Sequence, residues 1–177
     1  MALQLVDLNV ATRAAMLAEL EEDIGAGKVV LSPHLKDGAG SEFISLLVSA
    51  LRDFHDVWLA SALRTKGLVR THETIPTQHG PKRITLPPDT PELLAEGEYN
   101  RYYLRGLCRR AIEESFPTLW IYRANGEARR RPECDRLVGT PIDPCVLLEA
   151  LQGGASTDEA LGLPAERHSG LSARIRH

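Results

Sequence analysis

The sequence predicts an α+β fold, a single compact domain of about five or six helices with short antiparallel hairpins. Apolar residues recur at helical spacing in several capped segments, turn-forming dipeptides separate extended stretches, and the last residues alternate apolar and polar side chains. These patterns also predict a projecting arm near residues 68–90 and a strand-like C-terminal tail. We therefore expect residues 1–162 to form the domain, including the arm, and residues 163–177 to form the tail.

Capping residues mark the starts of the predicted helices. The first helix covers residues about 10–24 and stops at a glycine-rich segment, whereas the longest begins at a Thr–Pro–Glu sequence and runs to about residue 115. The residues that begin the helices are Asn9, Ser41, Asp56, Thr90, Asp143 and Ser156. Between the first two helices, KVVLS at residues 28–32 is a candidate strand, and the chain beyond Pro132 is expected to be a loop until Asp143.

The arm is predicted from composition. Residues 68–90 are rich in threonine and proline, with Gly80–Pro81 in the middle. Threonine and isoleucine favour extended chain, and the prolines exclude a central strand, so we expect an irregular edge hairpin. A connection of this length in a small domain is uncommon and often functional.

The stretch EYNRYYLRGLCRR at residues 98–110 predicts an amphipathic core helix whose two flanks carry arginine and tyrosine. Gly97 and Asn100 lie on the core face. Glycine costs helix stability, so we expect another backbone to pass close to Gly97. A buried Asn100 amide should then bind backbone groups of the crossing segment, as a structural fastener rather than a catalytic amide.

Asn125–Gly126 predicts a two-stranded hairpin over residues 118–131, with positive φ at both turn positions. Aromatic residues then face arginines across the hairpin. They either stack as cation–π pairs or form a platform for bases and phosphates. The pairs that this register predicts are Tyr122 with Arg129 and Trp120 with Arg131.

The tail alternates apolar and polar residues over residues 170–176, with Leu171 and Ile175 as apolar anchors and Arg174 and Arg176 between and after them. A free strand exposes unpaired backbone groups, so we expect it to pair with a sheet edge. The expected edge belongs to another copy or a partner; the alternative is the protein's own sheet.

Charge is distributed unevenly. The formal net charge is −3, but residues 1–60 hold four Lys or Arg against nine Asp or Glu, whereas residues 101–136 hold nine Arg against five Asp or Glu. The overall charge gives no general attraction to nucleic acid or acidic membranes. The acidic and basic regions either neutralise each other within one fold or meet between copies.

Compartment and cofactor signals are few. The N-terminus lacks the basic and apolar regions of a signal peptide, and no apolar run approaches the length of a membrane span. Cys108, Cys134 and Cys145 contain no C-x-x-C pair, so neither a disulfide framework nor a cysteine zinc site is indicated. We expect a cytoplasmic protein, or one within a particle assembled in the cytosol, with no membrane partner, metal or cofactor.

Catalytic motifs are also missing from the sequence. There is no glycine-rich phosphate loop, no G-x-S-x-G and no dinucleotide fingerprint, and HETIP at residues 72–76 is not the zinc motif H-E-x-x-H. Absence of a motif weakens an enzymatic function without excluding it, because catalytic partners need only be neighbours in space.

Three function classes remain. The first is a non-catalytic structural or interaction protein, a subunit of a homo-oligomeric, virion-like or scaffold assembly that grips itself or another subunit through its arm and tail. The second is a nucleic-acid-binding module, and the third is an enzyme with an arginine-rich pocket for an anionic substrate. The residues proposed to contact nucleic acid or anions are Arg101, Arg105, Arg109, Trp120, Tyr122, Arg129, Arg130 and Arg131.

Overall fold

Helices form most of the ordered structure. The computed structural model describes residues 2–78, 80–128, 131–164 and 168–176, and the α+β fold class is confirmed. The helices in these residues are α1 (Val10–Ala26), α2 (Gly40–Asp53), α3 (Asp56–Thr65), α4 (Thr90–Glu113), α5 (Pro132–Leu137), α6 (Pro144–Gln152) and α7 (Thr157–Ala160). The strands are β1 (His72–Thr77), β2 (Gly80–Thr85), β3 (Leu119–Arg123), β4 (Pro141–Ile142) and β5 (Leu171–Arg174).

Three of the six predicted caps make capping hydrogen bonds, whereas the cap positions of α2, α3 and α4 are Ala39, His55 and Asp89 instead of Ser41, Asp56 and Thr90. The Asn9 side chain accepts a hydrogen bond from the Thr12 amide at 3.0 Å. Asp143 caps α6 by accepting from the Cys145 amide at 2.7 Å, and Ser156 opens α7 with a complete capping box. These caps satisfy donors that the first helical turn leaves without partners, which is why the sequence locates them well.

Two local expectations were wrong. Residues 28–32 form no strand; the nearby bridge instead joins Leu35 to Val69. Residues 132–137, expected to be a loop, form the short helix α5, which begins at Pro132. Proline is favoured at the first position of a helix, so the same residue that ends an extended segment also starts α5.

Helix α4 is the centre of the fold. Every residue from Tyr99 to Cys108 is buried, so the expectation of a helix with two flanking polar stripes was wrong. Helices α1, α3 and α6 pack around it, together with β5. The polar side chains on α4 therefore have to find partners inside the protein.

The close backbone contact on α4 is at Gly106 rather than Gly97. A Cβ atom at Gly106 would lie 2.7 Å from the Met16 amide nitrogen and 3.0 Å from the Thr12 carbonyl oxygen, whereas one at Gly97 would meet nothing within 4 Å. Glycine at position 106 thus lets α1 approach the backbone of α4 directly.

The main sheet has the strand order β4–β3–β5, with both pairings antiparallel. Strand β3 therefore has neighbours on both sides, and the hairpin predicted over residues 118–131 was wrong. Tyr122 pairs with Ser172 and Trp120 with Arg174, and neither Asn125 nor Gly126 has a positive φ.

The segment before β5 explains why the hairpin does not form. The amides of Ala124 and Asn125 both donate to the Gly170 carbonyl, at 2.8 and 2.9 Å. A Cβ atom at Gly170 would lie 2.5 Å from the Ala128 side chain, so the chain entering β5 packs directly on the turn after β3. This long-range pairing occupies the edge that a local hairpin would have used.

The predicted arm is confirmed as a two-stranded antiparallel sheet of β1 and β2, joined by a two-residue turn. We call residues 72–85 the ribbon; His79 in its turn lies outside the described residues. No described helix combines the length and the apolar composition that crossing a membrane requires.

We predict that Gly106→Ala destabilises the protein by about 1–3 kcal/mol, because the new methyl group would press against backbone atoms of α1 that cannot move independently. Gly97→Ala is the matched control and should stabilise it by up to about 1 kcal/mol, since alanine is the better helix former and its methyl group has room. Urea unfolding of both variants measures this; equal effects would contradict the packing described here.

Candidate interaction sites

The arginines on one flank of α4, which we call the arginine stripe, bind partners within the protein; they are Arg101, Arg105 and Arg109. Arg105 is only 2% exposed. Its Nε donates to Glu19 at 2.8 Å, and its two terminal nitrogens bind the Asp23 carboxylate. Arg109 donates to Glu19 at 2.6 Å and to Glu22 at 2.8 Å. We call Glu19, Glu22, Asp23, Arg105 and Arg109 the ion network; within it, acidic residues from α1 neutralise both arginines.

The ion network keeps the carboxyl groups of Glu19 and Asp23 ionised. Burial opposes ionisation of Glu19, but hydrogen bonds from Gln152, Arg109 and Arg105 outweigh it and lower the pKa of Glu19 below its ordinary value. Burial likewise opposes ionisation of Asp23, and Arg105 and Tyr102 overcome it and lower that pKa. Both groups are therefore held as carboxylates at neutral pH.

Arg101, the third member of the stripe, is 9% exposed and donates to the Leu151 carbonyl at 3.2 Å. This carbonyl lies at the C-terminal end of α6, where a cation interacts favourably with the helix dipole. Glu98 lies one turn before Arg101; burial raises the pKa of Glu98 to about 7, with Arg101 opposing the rise. The sequence contained no signal for either environment.

The C-terminal tail pairs with the protein's own sheet. Strand β5 is hydrogen-bonded along β3, and Leu171 and Ile175 are 1% and 4% exposed. The expectation that the tail pairs with another copy or a partner was therefore wrong. Both anchor residues lie in the core, which explains why the tail alternates apolar and polar residues.

Side chains also cover the outer edge of β5. Asn100 donates to the Leu171 carbonyl at 2.8 Å and accepts from the Ser172 hydroxyl at 2.7 Å. The Asp7 carboxylate accepts from the Ile175 amide at 2.9 Å, so this edge has few backbone groups left for a further strand. Asn100 is a structural fastener as expected, although the segment it binds does not cross at Gly97.

Cation–π stacking is present on the sheet, with arginines other than those expected. The Arg176 guanidinium carbon lies 3.9 Å from the Trp120 ring centroid, and that of Arg174 lies 5.7 Å from the Tyr122 centroid. Arg129, the expected partner of Tyr122, lies outside the described residues, as does Arg130, and Arg131, the expected partner of Trp120, precedes α5 instead.

The Asn125 side chain holds the turn after β3 and connects it to α4. Asn125 is 9% exposed; its Nδ2 donates to Glu96 at 2.8 Å and its Oδ1 accepts from the Glu127 amide at 3.0 Å. Gly126 is exposed. The asparagine side chain thus replaces the hairpin hydrogen bonds with local and long-range ones.

The ribbon has one outward face on which every residue is exposed. Side chains alternate across a strand, so residues 73, 75 and 84 on the opposite face are the half-buried ones, and Glu73 lies 3.4 Å from His34 at the base. We call the exposed set the outer face: His72, Thr74, Pro76, Pro81, Arg83 and Thr85.

Two prolines limit how the ribbon makes contacts. Thr77 and Gly80 form a hydrogen-bonded pair next to the turn. Pro76 and Pro81, the next pair, occupy positions where a backbone N–H group would point away from the partner strand. Neither proline costs a ladder bond, and each removes a donor from an outer edge. The ribbon is therefore suited to contacts through side chains rather than through added strands.

A cleft of about 270 Å³ lies between α3 and α4, lined by Asp56, Val57, Ala60, Ser61, Arg64, Glu92 and Glu96. Arg64 binds both oxygens of Glu92 at 2.5 and 2.6 Å. Asp56 accepts from the Leu3 amide, and burial raises the pKa of Glu96 even though Asn125 donates to it. Carboxylates therefore outnumber cationic side chains among the lining residues.

The chain matches no family model, no curated protein and no solved structure in comparisons with known proteins. Within the described ranges, no group of three or more His, Cys, Asp or Glu side chains is arranged to hold a metal ion.

We predict that Glu19→Gln lowers the free energy of unfolding by about 3 kcal/mol, because it leaves two arginines facing a neutral amide in the core. Glu22→Gln, at the exposed end of the same network, should cost less than about 1 kcal/mol. Since the pKa of Glu19 is lowered by folding, its contribution is present at neutral pH and disappears as the pH falls through the folded value. Denaturant unfolding at neutral and acidic pH should show that the difference in free energy of unfolding between wild type and Glu19→Gln becomes smaller in acid. A difference that does not change with pH would contradict the prediction.

We predict that Glu98→Gln stabilises the protein relative to wild type, and does so more at pH 8 than at pH 5. Folding raises the pKa of Glu98 from 4.5 to about 7, so ionisation above that value destabilises the folded state, and glutamine avoids this cost. Thermal unfolding of wild type, Glu98→Gln and the exposed control Glu113→Gln at both pH values measures the effect. If both variants change the thermal stability equally at each pH, the raised pKa of Glu98 in the folded protein would be contradicted.

Proposed function

We propose that the protein is a non-catalytic structural subunit that joins an assembly of subunits through its ribbon. The observation that carries this proposal is the outer face of the ribbon, on which all six residues are exposed. A two-stranded sheet on its own is marginally stable in water, so an exposed ribbon of this kind is best explained by a partner that covers it.

The other structural features support an interaction role over an enzymatic one. The ion network uses Arg105 and Arg109 to hold α1 against α4, so neither is free to bind an anionic substrate. The tail, which was the other candidate for gripping a partner, belongs to the core. Of the two segments that the sequence predicted to grip a partner, the ribbon is the one whose side chains are exposed in the described residues.

The ribbon carries a local positive charge for this contact. Lys82 and Arg83 are adjacent and exposed on β2, and the nearest acidic residue on the ribbon, Glu73, lies at its base beside His34. A basic, proline-bearing ribbon attached to a protein of net charge −3 favours an acidic protein surface as its partner.

Nucleic-acid binding is a second candidate, favoured by one observation. Arg176 is exposed and stacked on Trp120, so the sheet presents an arginine and an aromatic ring together. We rank it second because the stacked arginine already covers a face of the ring and because the protein is acidic overall.

We predict that the wild-type protein forms salt-sensitive multimers and that Lys82→Glu with Arg83→Glu, the ribbon variant, weakens assembly roughly tenfold or more, because it reverses the charge of Arg83 on the outer face and of its exposed neighbour Lys82. The matched control Lys28→Glu with Arg136→Glu makes the same charge change at exposed positions on other parts of the protein and should assemble like wild type. Sedimentation velocity over a concentration series measures all three. A wild type that stays monomeric, or a ribbon variant that assembles like wild type, would refute the proposed function.

A further inference from the structure

A stacked aromatic pair, with Phe54 exposed and Trp58 half-buried, lies at the corner between α2 and α3. The rings of Phe54 and Trp58 are stacked, with centroids 4.3 Å apart and planes 9° apart. Phe54 is 40% exposed, and the neighbouring Val57 is 43% exposed. Exposed stacked aromatic rings are typical of the centre of a protein interface, where they offer a large apolar area at a small entropic cost.

This aromatic corner is continuous with the acidic cleft. Val57 and Asp56, which line the cleft, directly follow the corner in the chain and begin α3. The corner and the cleft therefore adjoin at the start of α3, and the cleft adds the carboxylates of Glu92 and Glu96 to this surface. We call it the receiving face: Phe54, Asp56, Val57, Trp58, Glu92 and Glu96.

The receiving face and the ribbon are complementary in chemistry. The outer face offers two adjacent prolines, whose flat rings pack well on aromatic side chains, and Arg83, which can interact with both rings and carboxylates. Lys82, exposed next to Arg83 but on the opposite face of the ribbon, adds to the local positive charge. The receiving face supplies the opposite charge, because carboxylates outnumber cationic side chains in its cleft. The cleft also has room for a long basic side chain.

We propose that the receiving face of one copy binds the ribbon of a second copy of this chain. This inference rests on the proposed function and names the surface that the ribbon contacts. A rigid hairpin of six-residue strands reaches roughly 20 Å from its base.

The ribbon cannot fill the face of its own chain. Arg64, in the cleft, donates to the Pro88 carbonyl at 3.1 Å, just beyond the point where β2 returns to the body of the protein. The cleft therefore lies at the root of its own ribbon, and the tip lies about 20 Å further along the strands. A second copy is the partner that has a matching ribbon to offer.

The contact is tested by complementation between two defective copies. The face variant, Phe54→Ser with Glu92→Lys, retains an intact ribbon, and the ribbon variant defined above retains an intact receiving face. Each variant alone should be monomeric, with assembly weakened at least tenfold. An equimolar mixture should form a 1:1 complex, because the ribbon of the face variant binds the face of the ribbon variant.

The controls separate loss of binding from loss of fold. Val10→Ser with Glu42→Lys makes equivalent changes at an exposed apolar residue and at an ion-paired carboxylate elsewhere, and should assemble like wild type. Circular dichroism checks folding, and Glu92→Lys alone, which removes no apolar contact, should still weaken assembly if the double variant proves unstable.

Two results would overturn the inference. If the face variant assembles like wild type while the ribbon variant does not, the ribbon binds elsewhere and only the proposed function survives. A mixture of two monomeric variants that remains monomeric would likewise exclude the pairing of ribbon and receiving face. Assembly by the ribbon variant itself would refute the proposed function and this inference together.

Discussion

The fold depends on the contact between α1 and α4, where the Glu19 carboxylate lies fully buried between two arginines. Gly106 allows the two backbones to meet there, and removing either arginine would leave the buried Glu19 carboxylate with one cation instead of two. With one side of α4 committed to α1, the other elements pack around the remaining sides. The buried length of α4 follows from this arrangement, as does the need for Asn100 to bind β5.

This arrangement determines which parts of the chain are available to a partner. Most of the positive charge in residues 101–109 is used to hold the core together, and the tail completes the main sheet. The acidic first third and the basic third quarter of the sequence neutralise each other within one fold, through α1 and α4. The ribbon stays outside this core, with two exposed basic residues and a pair of prolines that discourage strand addition.

Features encoded by neighbouring residues could be predicted from the sequence. Asn9, Asp143 and Ser156 cap helices as expected, and the Thr- and Pro-rich segment forms the expected arm. Features set by distant residues could not: Asn125–Gly126 favours a hairpin locally, but the approach of Gly170 overrides it. The ion network did have a sequence signal, because Glu19 and Asp23 on α1 have the same four-residue spacing as Arg105 and Arg109 on α4. The receiving face had none, since it combines residues from the α2–α3 corner with residues of α4.

Native-state hydrogen exchange on the intact protein tests most directly the claim that the tail is core and the ribbon is the free element. We predict that amides of β5 exchange as slowly as those in the middle of α4, through global unfolding, and that amides of the ribbon exchange much faster at low protein concentration. Rapid exchange of β5 in a protein whose α4 stays protected would contradict the account, because it would show the tail detaching from a fold that does not need it.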